Sequence, residues 1–155
     1  MFLIYFLQRN MILMYILVSP CIVNPDLRAR GITTDEDKDI FARCIERCRK
    51  ENIEIVALPC PETLFFGANR EPGPYKGRMD SKEFEETLDT LEQQVRKTIN
   101  ERNERPAFIL GVNSSPTCGA TKTYFTEVKS NGAGVFLKRF ADEYELVDVK
   151  EFAKT

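Results

Sequence analysis

Two rhythms of apolar and polar residues alternate along this chain. Short dense apolar runs occur at 14–19 (MYILVS), 53–58 (IEIVAL), 107–112 (AFILGV) and 144–149 (YELVDV). The first, dense and apolar, predicts a strand buried on both faces, as in a parallel sheet, and the other three predict further strands. Between them lie longer segments with helical spacing. Ile40, Phe41, Cys44, Ile45 and Cys48 share one face of a helix that starts near Thr34 and Asp37 and stops near Asn52. Phe84, Leu88, Leu91, Val95 and Ile99 form the stripe of a second helix over 80–102, with Asp80 and Glu83 placed as a capping box. A short helix is predicted over 134–143. The order β-α-β-α-β-loop-α-β predicts an α/β protein: a single-domain, Rossmann-like three-layer sandwich on a mostly parallel four-stranded sheet.

The N-terminus is apolar but interrupted by Gln8, Arg9 and Asn10. A spanning helix needs about 20 nearly uncharged residues, and a signal peptide needs a basic start and a small-residue cleavage site. Neither pattern is present, so no membrane partner is expected. Met11 and Met14 offer alternative starts. Residues 1–10 read as an extension, and 11–155 as the domain.

The length of 155 residues and the 43% apolar, 30% charged composition suit one soluble domain. With 22 basic and 24 acidic side chains the net charge is −2, which leaves no footprint for nucleic acid. There is no histidine. Any metal must therefore be held by sulfur or oxygen, and any proton moved by Glu, Asp, Lys, Tyr or Cys. The five cysteines form no C-x-x-C pair, which fits free or metal-bound thiols in a reducing cytoplasm.

Topology adds what spacing hides. Cys21, Cys60 and Cys118 each follow a predicted strand: "ILVSPC", "VALPCPE" and "GVNSSPTCG". In a parallel sheet those strand ends share an edge, where ligand sites form. Three thiolates without imidazole suit an iron–sulfur cluster or zinc, and three ligands leave one metal position open. Cys44 and Cys48, on the apolar helix face, read as packing residues.

At these motifs the chain resembles the thiouracil desulfidase family. The likeness rests on "VSPC" (Ser19, Cys21), "CPE" (Cys60, Glu62) and "SPTCG" (Ser115, Cys118, Gly119), in order and at strand ends, and runs from about Met14 onward. The resemblance implies a [4Fe-4S] cluster held by Cys21, Cys60 and Cys118 with one open iron. It implies a small-molecule substrate, a thiolated nucleobase or nucleoside, whose C=S becomes C=O with release of sulfide and no net redox change. Glu62 would be the general acid or base. Ser115, or its neighbour Ser114, would orient substrate or water. The chain departs from the family where a Gly-Gly-Leu-Pro-x-Pro-Arg stretch usually follows Cys-Pro-Glu. "TLFFGANREPG" stands there, with Gly67 and Arg70 as partial replacements. The first loop also lacks the family's Arg-Tyr-Asp-Gly run. Phe65, Phe66 and Tyr75 read either as core or as a stacking platform for a flat ring. Arg70, Lys76 and Arg78 read as a solvated basic loop. The other readings are a non-catalytic iron–sulfur or sulfur-carrier module and a metal-free nucleoside-binding α/β enzyme. A monomer or homodimer is expected.

Overall fold

The structure, a computed structural model, describes residues 14–154. The extension expected over residues 1–10 lies outside the described residues. Strands β1 (Met14–Val18), β2 (Ile53–Ala57), β3 (Ile109–Gly111) and a late strand, Leu146–Asp148, form one sheet. Its order is β2-β1-β3-(146–148), and every pair is parallel. The α/β reading with a parallel four-stranded sheet therefore stands.

Strand alternation divides the core. Tyr15, Leu17 and Ile109 point to one face, where α4 (Lys82–Arg102) lays down Phe84, Leu88, Leu91, Val95 and Ile99. Ile16, Val18 and Leu110 point to the other, against Phe41, Cys44 and Cys48 of α2 (Asp35–Lys50) and Phe152 of α5 (Val149–Lys154). β1 is thus covered on both sides, which is why its run is unbroken. Among the described residues no helix is long and apolar enough to cross a membrane.

The first long helix begins with the capping box expected at Thr34 and Asp37: Thr34 Oγ1 accepts from Asp37 N, and Asp37 Oδ2 accepts from Thr34 N, both at 3.0 Å. In α4 the cap lies one residue later than expected. Ser81, not Asp80, is the N-cap, its hydroxyl accepting from Phe84 N at 3.1 Å. The sequence pattern also missed several short elements. They are α1 (Pro20–Val23), α3 (Pro61–Phe66), α5, and a small antiparallel pair, β4 (Lys122–Thr123) with β5 (Ser130–Asn131). The late sheet strand Leu146–Asp148 is therefore β6.

The α-helix expected over 134–143 is instead a 3-10 turn, Leu137–Phe140. The segment leading into it is tied to the loop after β3. Val135 N donates to Pro116 O (2.9 Å), while Phe136 N and Leu137 N both donate to Thr117 O (3.0 and 3.2 Å). Gly134 is what permits this approach. A Cβ there would lie 2.3 Å from the Thr117 carbonyl carbon and 2.6 Å from Cys118 N. Those are backbone atoms, so they cannot swing aside. Gly134→Ala is expected to cost ~1–3 kcal/mol by overpacking. In thermal unfolding it should lower Tm by several degrees, at about 2–4 °C per kcal/mol for a chain of this size.

Candidate functional site

The strand order reverses at β1: β2 pairs on one side of it and β3 on the other. A crevice opens at the carboxyl edge of such a switch point. Cys21, Cys60 and Cys118 all stand at that edge. Cys21 lies in the single turn of α1, directly after Pro20 at its first position. Cys60 is the N-cap of α3, and its Sγ accepts from Thr63 N at 3.4 Å. Cys118 closes a tight loop in which Cys118 N donates to Ser115 Oγ (3.0 Å) and Val112 N donates to Cys118 O (2.9 Å).

The three thiols act on one another electrostatically. Burial pushes the Cys21 thiol up to about 12; Arg28 opposes this, while Cys60 and Glu62 add to it. Burial also pushes Cys118 well up, with further increments from Cys60 and Cys21 and a smaller opposing pull from the hydroxyls of Ser19 and Thr117. The Ser19 hydroxyl is fully buried and, its approach to the Cys118 sulfur aside, has no hydrogen-bond partner among the described residues. Among the described residues, no three Cys, Asp or Glu side chains converge closely enough for a single metal ion. A cubane cluster is larger than an ion and takes one thiolate at each of several corners. Three sulfur donors at one sheet edge, without a nitrogen ligand, fit such a cluster.

Behind the thiols lies a buried polar wall. Glu62, two residues past Cys60, is only 7% exposed. Its Oε2 accepts from the Thr117 hydroxyl at 2.7 Å, and its Oε1 lies 3.8 Å from Arg70 Nε. Arg70 corrects the expectation of a solvated basic loop: it is also 7% exposed. Its Nη1 donates to Thr63 Oγ1 (3.0 Å) and to the Gly67 carbonyl (3.3 Å), while its Nε has no hydrogen-bond partner among the described residues. A buried guanidinium facing a buried carboxylate offsets part of the cost of taking either out of water. Lys76 is exposed as expected, and Arg78 is half-buried over the Phe66 ring.

Ser115 is half-buried and its Oγ lies 3.4 Å from Thr117 Oγ1. Ser114 has a left-handed backbone, φ +83°. No hydrogen bond is formed by its side chain among the described residues; its backbone N donates to Lys122 O at 3.0 Å. Phe66 and Tyr75 pack against the main core, and Phe65 stays 38% exposed at the rim. Cys44 and Cys48 lie inside the second core, away from the edge, with the Cys44 thiol kept protonated by its hydrogen bond to Cys48. The sequence reading missed Thr117. Its one signal was its place inside the Ser-Pro-Thr-Cys motif.

Fold and site together define a Rossmann-like α/β protein with three thiols and a buried carboxylate at the sheet's carboxyl edge. No family model matches the chain. It is 30% identical over 135 residues to "Uncharacterized protein MJ0003" of Methanocaldococcus jannaschii, covering 86% of this chain and 79% of that protein. The chain belongs to the family of that protein. Among solved structures it resembles "[4Fe-4S]-dependent thiouracil desulfidase TudS (DUF523Vcz)", with a TM-score of 0.57 at 17% identity over 87% of this chain and 90% of the other. That likeness establishes a shared fold.

The raised Cys21 pKa has a measurable consequence in protein freed of metal. A thiol that titrates near pH 12 is almost wholly neutral at pH 8, and only the thiolate is nucleophilic. Iodoacetamide should therefore label Cys21 slowly. Its rate, read by peptide mass spectrometry, should still be climbing at pH 10, where an ordinary cysteine of pKa about 8.5 has levelled off. A Cys21 rate that levels off near pH 9 would contradict the burial described here.

Proposed function

We propose that this protein is an iron–sulfur desulfidase. It exchanges the sulfur of a small thiolated nucleobase or nucleoside, of the thiouracil type, for oxygen from water. In balance, C=S and H₂O become C=O and H₂S, with no electrons exchanged. The observation that carries this reading is the pairing of a buried, hydrogen-bonded carboxylate, Glu62, with three clustered thiols at one sheet edge. The shared fold with a [4Fe-4S]-dependent thiouracil desulfidase supports it.

Cys21, Cys60 and Cys118 are assigned as ligands of a [4Fe-4S] cluster that leaves one iron without a protein ligand. When bound, the cluster supplies a thiophilic Lewis acid for the C=S sulfur. Glu62 takes a proton from the water that adds to the C=S carbon and returns it to the departing sulfur. Ser115 accepts the Cys118 amide proton with one lone pair of its oxygen, and the other lone pair is assigned to accept from substrate or water. Ser114 is assigned as the second orienting hydroxyl. Phe65, exposed one turn from Glu62, offers a ring edge to a flat heterocycle. The setting is taken to be the reducing cytoplasm, with a free small molecule as substrate and the protein a monomer or homodimer.

The test starts with anaerobic purification or reconstitution, iron and acid-labile sulfide analysis, and sulfide release from 2-thiouracil. Cys60→Ser should lose bound iron, whereas Cys44→Ala should keep it. Glu62→Gln should keep the cluster absorbance while kcat falls ~10²–10⁴-fold, the range of general acid–base catalysis. Unchanged turnover in Glu62→Gln would remove the carboxylate from the reaction. A protein that takes up no iron on reconstitution overturns the reading.

A further inference from the structure

Glu62 is held by a neighbour that the sequence reading did not single out. The Thr117 hydroxyl has one proton to give. Three groups surround it: Glu62 Oε2 at 2.7 Å, Ser115 Oγ at 3.4 Å and Cys118 Sγ at 3.6 Å. The contact with the carboxylate is the shortest and is charge-assisted, so the proton points to Oε2. Thr117 must then be the acceptor toward Ser115. Ser115 already accepts the Cys118 amide proton, so its own proton goes to Thr117. The bonds run one way, from Cys118 N–H through Ser115 and Thr117 to the carboxylate.

Thr117 has little freedom to do otherwise. It is 1% exposed, and its carbonyl is tied to Phe136 N and Leu137 N. A β-branched side chain on a pinned backbone keeps one χ1 well. Serine would offer the same hydroxyl without that restriction. On the other side of the carboxylate, Oε1 receives no hydrogen bond among the described residues, with Arg70 Nε at 3.8 Å, beyond hydrogen-bond length.

We propose that Thr117 is the positioning residue for Glu62: its O–H occupies Oε2 and so presents Oε1 to the water and sulfur of the reaction. The assignment rests on the desulfidase reading for its chemistry, but not for its geometry. The second oxygen, not the first, is the one left to meet the reacting water and sulfur, on the side of the carboxylate that faces Arg70.

Two variants and two readouts test this. Thr117→Val keeps the shape and removes the hydroxyl; Thr117→Ser keeps the hydroxyl. With full cluster absorbance, Thr117→Val should lose kcat on the order of 100-fold, the cost of a misplaced catalytic group. Its KM should change little, since an interaction used only in the transition state is lost. Thr117→Ser should recover most of the rate. The second readout does not depend on turnover. In infrared spectra of the holoprotein, the Glu62 carboxylate stretch, identified by its disappearance in Glu62→Gln, should shift in Thr117→Val and return in Thr117→Ser. If Thr117→Val does not fold, Thr117→Ala takes its place with the same expected shift. A carboxylate band unmoved by loss of the hydroxyl, or equal kcat in the Val and Ser variants, overturns the proposal. Should the wild-type protein release no sulfide from 2-thiouracil, the desulfidase reading fails alone, and the infrared comparison still decides the role of Thr117.

Discussion

At the end of β1 the backbone is bound to both neighbours at once. Leu58 N donates to the Val18 carbonyl at 2.8 Å, and Ser19 N donates to the Leu110 carbonyl at 2.9 Å. These two bonds fix where three strands stop relative to one another. Cys60 leaves two residues beyond Leu58, and Cys21 two residues beyond Ser19. Cys118 returns through a loop whose carbonyl is caught by Val112 N. A slip of one residue in either pairing would send the side chains of β1 to the wrong cores and shift the strand ends that carry the sulfurs. The register is secured by burial: Ile16 and Val18 feed one core and Tyr15 and Leu17 the other. The energy that pairs the strands is therefore the same energy that gathers the thiols.

The site is also where this fold is locally least comfortable. Glu62 and Arg70 are both nearly excluded from water, and among the described residues the buried Arg70 Nε has no hydrogen-bond partner. Such an atom costs about 1–3 kcal/mol in a folded interior. Replacing this group by apolar side chains would be expected to raise stability and abolish whatever the crevice binds. Elsewhere charges are arranged conventionally. Arg139 gathers Glu85, Asp89 and Glu92 on the α4 surface, and Arg96 bridges Glu92 to Glu143.

The parallel sheet and its two long helices were legible because each has enough residues for its period to show. The apolar runs of β1 and β2 and the stripe of α4 needed no tertiary information. The short helices α1, α3 and α5 have four to six residues, too few for a 3.6-residue repeat to stand out. The β4–β5 pair joins Lys122–Thr123 to Ser130–Asn131 and carries no apolar alternation at all. The segment after Gly134 misled because its apolar residues are spaced as in a helix, while its amides are claimed by Pro116 and Thr117. Within the site, the edge position of Cys21, Cys60 and Cys118 followed from topology. Arg70 did not, because an arginine in a Gly- and Pro-rich loop looks solvated until its partner Glu62 is placed beside it. Thr117 was hidden by its neighbours: motif reading favoured the serine and the cysteine, and only coordinates reveal which hydroxyl reaches the carboxylate.

Resistance to local opening is uneven around the rim. The Cys118 loop is stitched to the chain at Gly134–Leu137 by four backbone bonds, Gly134 N→Gly119 O, Val135 N→Pro116 O, Phe136 N→Thr117 O and Leu137 N→Thr117 O, and closed on itself by Val112 N→Cys118 O. Cys21 and Cys60 sit instead on helices of one or two turns, with Val23, Leu64 and Phe65 exposed beside them. Amides in short, solvent-facing helices exchange with water through small local fluctuations, whereas those in a stitched loop wait for larger ones. If the proposed cluster is bound, the α1 and α3 side is where its assembly and loss would meet the least resistance, with Cys118 as the sulfur held most firmly.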